Sequence, residues 1–304
     1  MFQSAKLKEK AGRWKEASDL FTTILQYDST DAHTHLALAR LEAKRRNDDP
    51  TYARSAFQQG TNLCPDSVHL WQAWARFEEQ QHQHERARNL FRQALQLEAG
   101  NPYVCHSYGL MEHKLGFFQA AHELWYLGLQ TRPTAALVCS LAESMIAQKK
   151  LPEARDLYIQ YGTRVETERE RTEIYLATAW LEEKYFRNFD RAEEWIQKAV
   201  TQDPSSSGRA EVALARLYGR RNRRENKSGK VATRKRLSEA VQSVESGETE
   251  STDGRVFNAL AHVEVKSRRF EEARKILQSG IERFPDDVSV RGSSLFFFHP
   301  SNWC

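Results

Sequence analysis

Six glutamates recur in a spacing that invites a catalytic reading: Glu42, Glu78, Glu112, Glu143, Glu182 and Glu264. Carboxylate acid–base chemistry needs two such groups converging on one substrate. Here each closes a similar short phrase, such as Trp74-Ala75-Arg76-Phe77-Glu78 or Thr178-Ala179-Trp180-Leu181-Glu182, and there is one per phrase. The expectation is therefore structural. Each carboxylate pairs with an arginine of the following helix, Glu78 with Arg88 and Glu143 with Arg155, because a partly buried, hydrogen-bonded ion pair fixes the register of two helices. No catalytic residue is assigned, and the chain is not read as an enzyme.

Aromatic side chains offer a second chemistry, stacking on nucleobases. Trp71 and Trp74 stand three apart, on one face of a helix. The equivalents of Trp74 in the other phrases are Leu38, Tyr108, Cys139, Thr178, Leu214 and Leu260, which reads as a core column. The Trp71 column is mixed, with His35, Cys105, Ala136, Tyr175, Glu211 and Phe257, so a surface role stays open there. His33 with His35, and His82 with His84, lack the further ligands a metal site requires. Cys64, Cys105, Cys139 and Cys304 lie too far apart for a metal or redox motif and read as reduced thiols. There is no glycine-rich phosphate loop and no nucleophile elbow. No metal, cofactor or small-molecule substrate is expected.

The strongest feature outside the expected core is electrostatic. The net charge is only +4 over 304 residues, but residues 209 to 236 hold eleven Lys and Arg against Glu211 and Glu225, a net +9 in 28 residues. Clustered arginines release counterions when they meet phosphates, so RNA contact is one reading and a solvated insert another. The candidate contacts are Arg216, Arg220, Arg221, Arg223, Arg224, Lys227, Lys230, Arg234, Lys235 and Arg236. A subtler set is a column of the first helices: Arg40, Arg76 and Arg216, joined by His262 and interrupted by Leu110, Leu141 and Trp180.

These residues sit on a repeat. A second phrase, Ala87-Arg88-x-x-Phe91-x-x-Ala94, follows each glutamate phrase. Its lead positions are 17, 53, 87, 121, 154, 192, 233 and 273, a period of 33 to 41 residues. Each unit thus carries two amphipathic helices in which small residues face large ones, the pattern by which helices interlock. One pair cannot bury its apolar stripe alone, so pairs must stack. Only 14 glycines and 8 prolines agree with helices rather than many tight strand turns. No apolar run approaches the length of a membrane helix.

With Trp71, Trp74, Ala75, Ala87, Phe91 and Ala94 at large-small-small-large-small spacing, the chain resembles tetratricopeptide repeats. The glutamate after Trp-x-x-Trp-Ala resembles the HAT variant ("half a tetratricopeptide") over roughly residues 5 to 287. That resemblance implies an all-α, right-handed superhelical solenoid of about seven TPR/HAT-like helix pairs. It also implies a non-enzymatic RNA-binding role in RNA processing or mRNA stabilisation, most like plastid mRNA maturation and stability factors. The alternative is a protein–protein scaffold of a nuclear splicing or 3′-end processing complex. The expected partners are a single-stranded transcript, RNP proteins or both. The expected compartment is the chloroplast, with the nucleus as the alternative, although no transit peptide is legible. The array is expected over residues 1–291, with a basic insert at 220–252 and an irregular tail at 292–304; residues 2 to 11 read as the last turns of a helix whose start is absent.

Overall fold

The computed structural model describes residues 1–45, 49–202, 207–224, 229–247, 254–288 and 290. The expected tail at 292–304 and part of the insert at 220–252 lie outside them. Among the described residues there are sixteen α-helices and no strand, packed as consecutive pairs. They fall into two compact units, one ending at Arg132 and one beginning at Pro133.

The first unit holds α1 (Phe2–Lys10), α2 (Trp14–Tyr27), α3 (Ala32–Arg45), α4 (Thr51–Leu63), α5 (Val68–Gln80), α6 (His84–Leu97), α7 (Pro102–Lys114) and α8 (Phe118–Thr131). The second holds α9 (Ala135–Ala147), α10 (Leu151–Gly162), α11 (Glu168–Leu181), α12 (Phe189–Gln202), α13 (Ser207–Arg224), α14 (Gly229–Glu245), α15 (Arg255–Lys266) and α16 (Phe270–Arg283). The described residues thus make eight pairs, one more than the seven copies of the first phrase (six ending in glutamate and Leu214-Ala215-Arg216-Leu217-Tyr218 ending in tyrosine), because α1 with α2 forms a pair whose first helix has no phrase. Most of the basic segment is helical: it lengthens the α13/α14 pair.

The small-large pattern is the core. Ala17, Ala53, Ala87, Ala121, Ala154, Ala192 and Ala273 are buried, and so are Phe21, Phe57, Phe91, Trp125, Tyr158, Ile196 and Leu277 one turn further on. Odd-numbered and even-numbered helices alternate, and successive odd-numbered helices touch: α3 with α5, α5 with α7, α9 with α11, α11 with α13, and α13 with α15. Each unit therefore presents a face made of its first helices. Helices approach very closely at Gly109, where a Cβ would lie 2.2 Å from Trp125 Nε1.

The turn inside a pair has one recurring form. A residue with left-handed backbone ends the first helix: Gly12, His82, Gly116, Lys149, Arg187 or Arg268. The amide after it donates to a carbonyl five residues back, as Gln83 does to Glu78 and Phe117 to Glu112, the Schellman closure of a helix end. This bond fixes the frame of each such repeat. It falls on Glu264 as the sequence pattern requires, and also on Glu182, where the π-helical turn over Glu182–Phe186 adds a residue and the Asn188 amide reaches six back. In α9 it falls on Met145, not Glu143. Met145 and Ser144 are buried, while Glu143 is exposed. The phrase of this repeat is therefore Leu141-Ala142-Glu143-Ser144-Met145, two residues on from the position expected of its acid. Cys139 and Leu141 leave the columns assigned to them.

Candidate functional site

The repeated carboxylates are clamps, bound chiefly by the preceding helix; on the following side Glu78 also lies 3.5 Å from Arg86 of α6, and Glu264 2.9 Å from Arg269 at the start of α16. Arg54 of α4 donates to Glu78 of α5 from Nε at 3.0 Å and Nη2 at 2.8 Å. Arg88 of α6 donates in the same manner to Glu112 of α7, at 2.7 and 2.8 Å. Arg155 reaches Glu182, and Arg234 reaches Glu264 at 2.5 Å. The donor thus sits on the second helix of the preceding pair, so the expected pairings of Glu78 with Arg88 and Glu143 with Arg155 are replaced. The reason is packing. The second helix of one pair lies against the first helix of the next, and the residue after its buried small residue points at that neighbour's glutamate. Where arginine is missing, another donor serves: Ser18 donates to Glu42 at 2.9 Å. In the copy that carries Tyr218, the roles invert, and its hydroxyl donates to Glu193 of α12 at 2.5 Å. Glu78 is fully buried and also accepts from Trp74 Nε1 at 3.0 Å.

The tryptophans are held by the same packing. Trp74 is buried and stacks on Phe57. Trp71 is half-buried, stacks on Trp74, and donates its indole N–H to the Pro65 carbonyl at 2.7 Å, which ties down the loop before α5.

The first-helix face carries the cations. Two residues before each clamp position stand Arg40, Arg76, Leu110, Glu143, Trp180, Arg216 and His262. In the first unit, Arg40 and Arg76 are exposed and line a groove of about 370 Å³ with Lys44 and Gln80. Neither has an ion pair or hydrogen-bond partner among the described residues. Burial and the charge of Arg76 hold the Arg40 guanidinium below its usual value. The same two causes, burial first and Arg76 second, push the pKa of His106 on α7 below the ordinary 6.5. The second unit repeats the theme. Arg216, Arg209, Arg255 and His262 line a cavity of about 500 Å³, and Arg216, Arg220, His262 and Lys266 line a neighbouring one of about 420 Å³. No carboxylate is among the described residues lining either.

Sequence reasoning missed a third column, two residues after the clamp: Lys44, Gln80, Lys114, Ala147, Lys184, Arg220 and Lys266. Its signal was present, since a residue four on from Arg40 or Arg216 shares its face. Three of these cations bridge neighbouring first helices: Lys44 to Glu9 at 3.0 Å, Lys114 to Glu79 at 2.9 Å, and Arg220 to Glu183.

The basic segment divides between the two faces. Arg216 and Arg220 belong to the first-helix face of α13. Arg221 pairs with Asp190 at 3.0 Å, Arg236 with Glu211 at 2.9 Å, and Arg234 is the Glu264 clamp. Lys235 lies 3.9 Å from Glu239, and Lys230 is exposed. Arg223 and Arg224 end α13, their side chains outside the described set, and Lys227 lies outside the described residues. Much of the sequence patch is thus taken up by intramolecular pairs.

Two of the described cysteines are held as neutral thiols. Burial pushes the Cys105 thiol up to about 11 and, with Glu143 and Glu173 nearby, the Cys139 thiol to about 12, far from thiolate formation at neutral pH. Among the described residues no group of three or more His, Cys, Asp or Glu could hold a metal ion. No described helix is long and apolar enough to cross a membrane.

The helix-pair stacking, small-large core and clamped registers define a TPR-like helical repeat protein. No protein-family model matches the chain, and no curated protein matches it by sequence. Among solved structures it is similar to yeast Tom70, at 17% identity over 93% of this chain, with a TM-score of 0.56. The chain spans 57% of that Tom70 chain. It is also matched by the C-terminal part of a TPR repeat-containing protein from Cytophaga hutchinsonii, at 10% identity over 96% of this chain and 98% of the other, with a TM-score of 0.48.

Proposed function

We propose that the chain is a non-enzymatic scaffold that grips single-stranded RNA along its first-helix faces, in RNA processing or mRNA stabilisation. The observation that supports this most directly is the pair Arg40 and Arg76, with Arg216 in the same column of the second unit. These are exposed guanidinium groups on grooves, at one column position in three of the helix pairs, with no protein carboxylate to neutralise them among the described residues. Repeated cations of this kind suit a polyanion whose charges also repeat. The HAT-like phrases add the expectation of a transcript as the ligand, and the resemblance to plastid mRNA factors the expectation of the chloroplast, with the nucleus as the alternative.

The test is binding of the full chain to single-stranded RNA over a salt series, beside the double variant Arg40→Glu, Arg76→Glu and the single variant Arg216→Glu. The expected result is steep weakening with salt in the parent, and in the variants a slope shallower by roughly 0.7 for each phosphate no longer neutralised. Variants that bind as tightly as the parent, with the same slope, remove this reading. Crosslinking to cellular RNA with the compartment recorded identifies the transcript and the location.

A second reading, a protein–protein scaffold, has its own observation. Phe117 just before α8 and Leu127 within it are partly exposed and line a cavity of about 590 Å³ together with Tyr108, Leu124 and Arg88. Exposed apolar patches of this kind mark protein docking sites. A chain that binds no RNA but holds a protein partner, released by Phe117→Ser, is the outcome that favours it.

A further inference from the structure

The column of exposed first-helix cations is broken in the second unit by an aromatic residue, Trp180. It stands two residues before the clamp Glu182, as Arg76 does before Glu78 and Arg216 before Tyr218. Its indole is 42% exposed, although buried aromatics fill the core nearby, Tyr175 of the same helix among them. Leu176, one turn earlier on the same helix face, lines the cavity that holds Arg209, Arg216 and His262. Trp180 therefore shares the helix face that borders this cavity and is not part of the core.

Its surroundings are those of a stacking platform. Lys184 sits over the indole, its Nζ 4.5 Å from the ring centroid, and Tyr185 meets the indole edge-on at 5.6 Å and 76°. Tyr185 is itself 38% exposed. The π-helical turn Glu182–Phe186 brings these three side chains to one spot. Arg220 of α13 pairs with Glu183, which ties the next first helix to this turn.

We infer that Trp180, with Tyr185 and Lys184, is a stacking site for one nucleobase of the RNA, with Lys184 and Arg216 placed for the flanking phosphates. This rests on the RNA reading proposed above and adds the element that charge alone does not supply. A flat π-face accepts any base without reading its edge, so the site holds RNA without selecting sequence. Cations alone would serve an acidic peptide as well, whereas an exposed indole beside them suits a polyanion that carries flat rings.

The experiment compares the full chain with Trp180→Ala and Trp180→Phe, using a mixed-sequence single-stranded RNA and an abasic RNA of the same length. Thermal melting is recorded for each variant. The expected result is that Trp180→Ala melts as the parent does, binds the normal RNA roughly tenfold more weakly with an unchanged salt slope, and binds the abasic RNA as the parent does, while Trp180→Phe retains most of the affinity. Equal affinity of Trp180→Ala and parent for normal RNA overturns the inference, as does an equal reduction on both ligands; the RNA reading then stands on the arginines alone. A parent that binds an acidic peptide and no RNA overturns both.

Discussion

A single carboxylate shows how much depends on direction. Glu78 is fully buried and accepts hydrogen bonds from Arg54 and from the Trp74 indole. Removing one partner of such a pair leaves the other uncompensated and destabilises by about 3–5 kcal/mol where burial is complete. Arg54 keeps a quarter of its side chain in solvent, so Glu78→Gln should lower stability by about 2 kcal/mol. In denaturant titrations a double-mutant cycle should give clear coupling between Glu78 and Arg54 and near zero between Glu78 and Arg88; the reverse outcome rejects the clamp as drawn. His106 gives a pH signature at the same scale. Burial and then Arg76 depress its pKa below 6.5 in the folded chain. Its contribution to stability is therefore fully present above 6.5 and is lost as pH falls toward the folded value, because the unfolded chain takes up the proton first. Melting temperature should fall between pH 7 and 5.5 in the parent, and less in His106→Gln. An equal fall in both would remove His106 as the source.

At the scale of the helix, the register is set by where a first helix ends. The left-handed residue and its Schellman closure place the clamp position, and α9 shows that this bond, not the identity of the nearest acid, decides the frame. Glu143 is the only acidic residue of that helix, so a pattern keyed on acids settles on it. The turn settles on Met145, and the exposed Glu143 then falls in the column of Arg76 and Arg216. The packing of helix on helix is exacting where α7 meets α8. Gly109 leaves no room for a Cβ beside the Trp125 indole, and Trp125 is fully buried, so the ring has nowhere to retreat. Gly109→Ala should therefore destabilise by about 1–3 kcal/mol despite the better helix propensity of alanine, measured by chemical denaturation. A stabilised variant would show that the ring relaxes freely.

Among the described arginines two populations stand out. Arg54, Arg88, Arg155, Arg221, Arg234 and Arg236 are held by carboxylates of neighbouring helices, whereas Arg40, Arg76 and Arg216 face grooves on the first-helix faces. Net charge hides this, since a value of +4 says nothing about which charges are already neutralised. The salt dependence expected of the proposed RNA binding follows from this division. Reversing paired residues such as Arg221 should change the salt slope little and stability measurably, while reversing Arg40 with Arg76 should do the opposite.

The repeat, the helix pairs and the core are legible in the chain. Those follow from contacts between residues three to seven apart on one helix, and from small-large matching within a pair about 35 residues long. The sequence also pointed to the Arg40, Arg76 and Arg216 column, which recurs at a fixed offset from a repeated landmark. Three-dimensional packing chose which arginine each glutamate holds, because that partner lies on the preceding pair and depends on which helix stacks next. It also decided that much of the basic segment is internally paired, that α9 is shifted by two residues, and that Trp180 stands exposed on the first-helix face beside Lys184 and Tyr185. Charge and ring identity are written in the chain, but whether a side chain is neutralised, buried or open depends on neighbours 24 to 37 residues away.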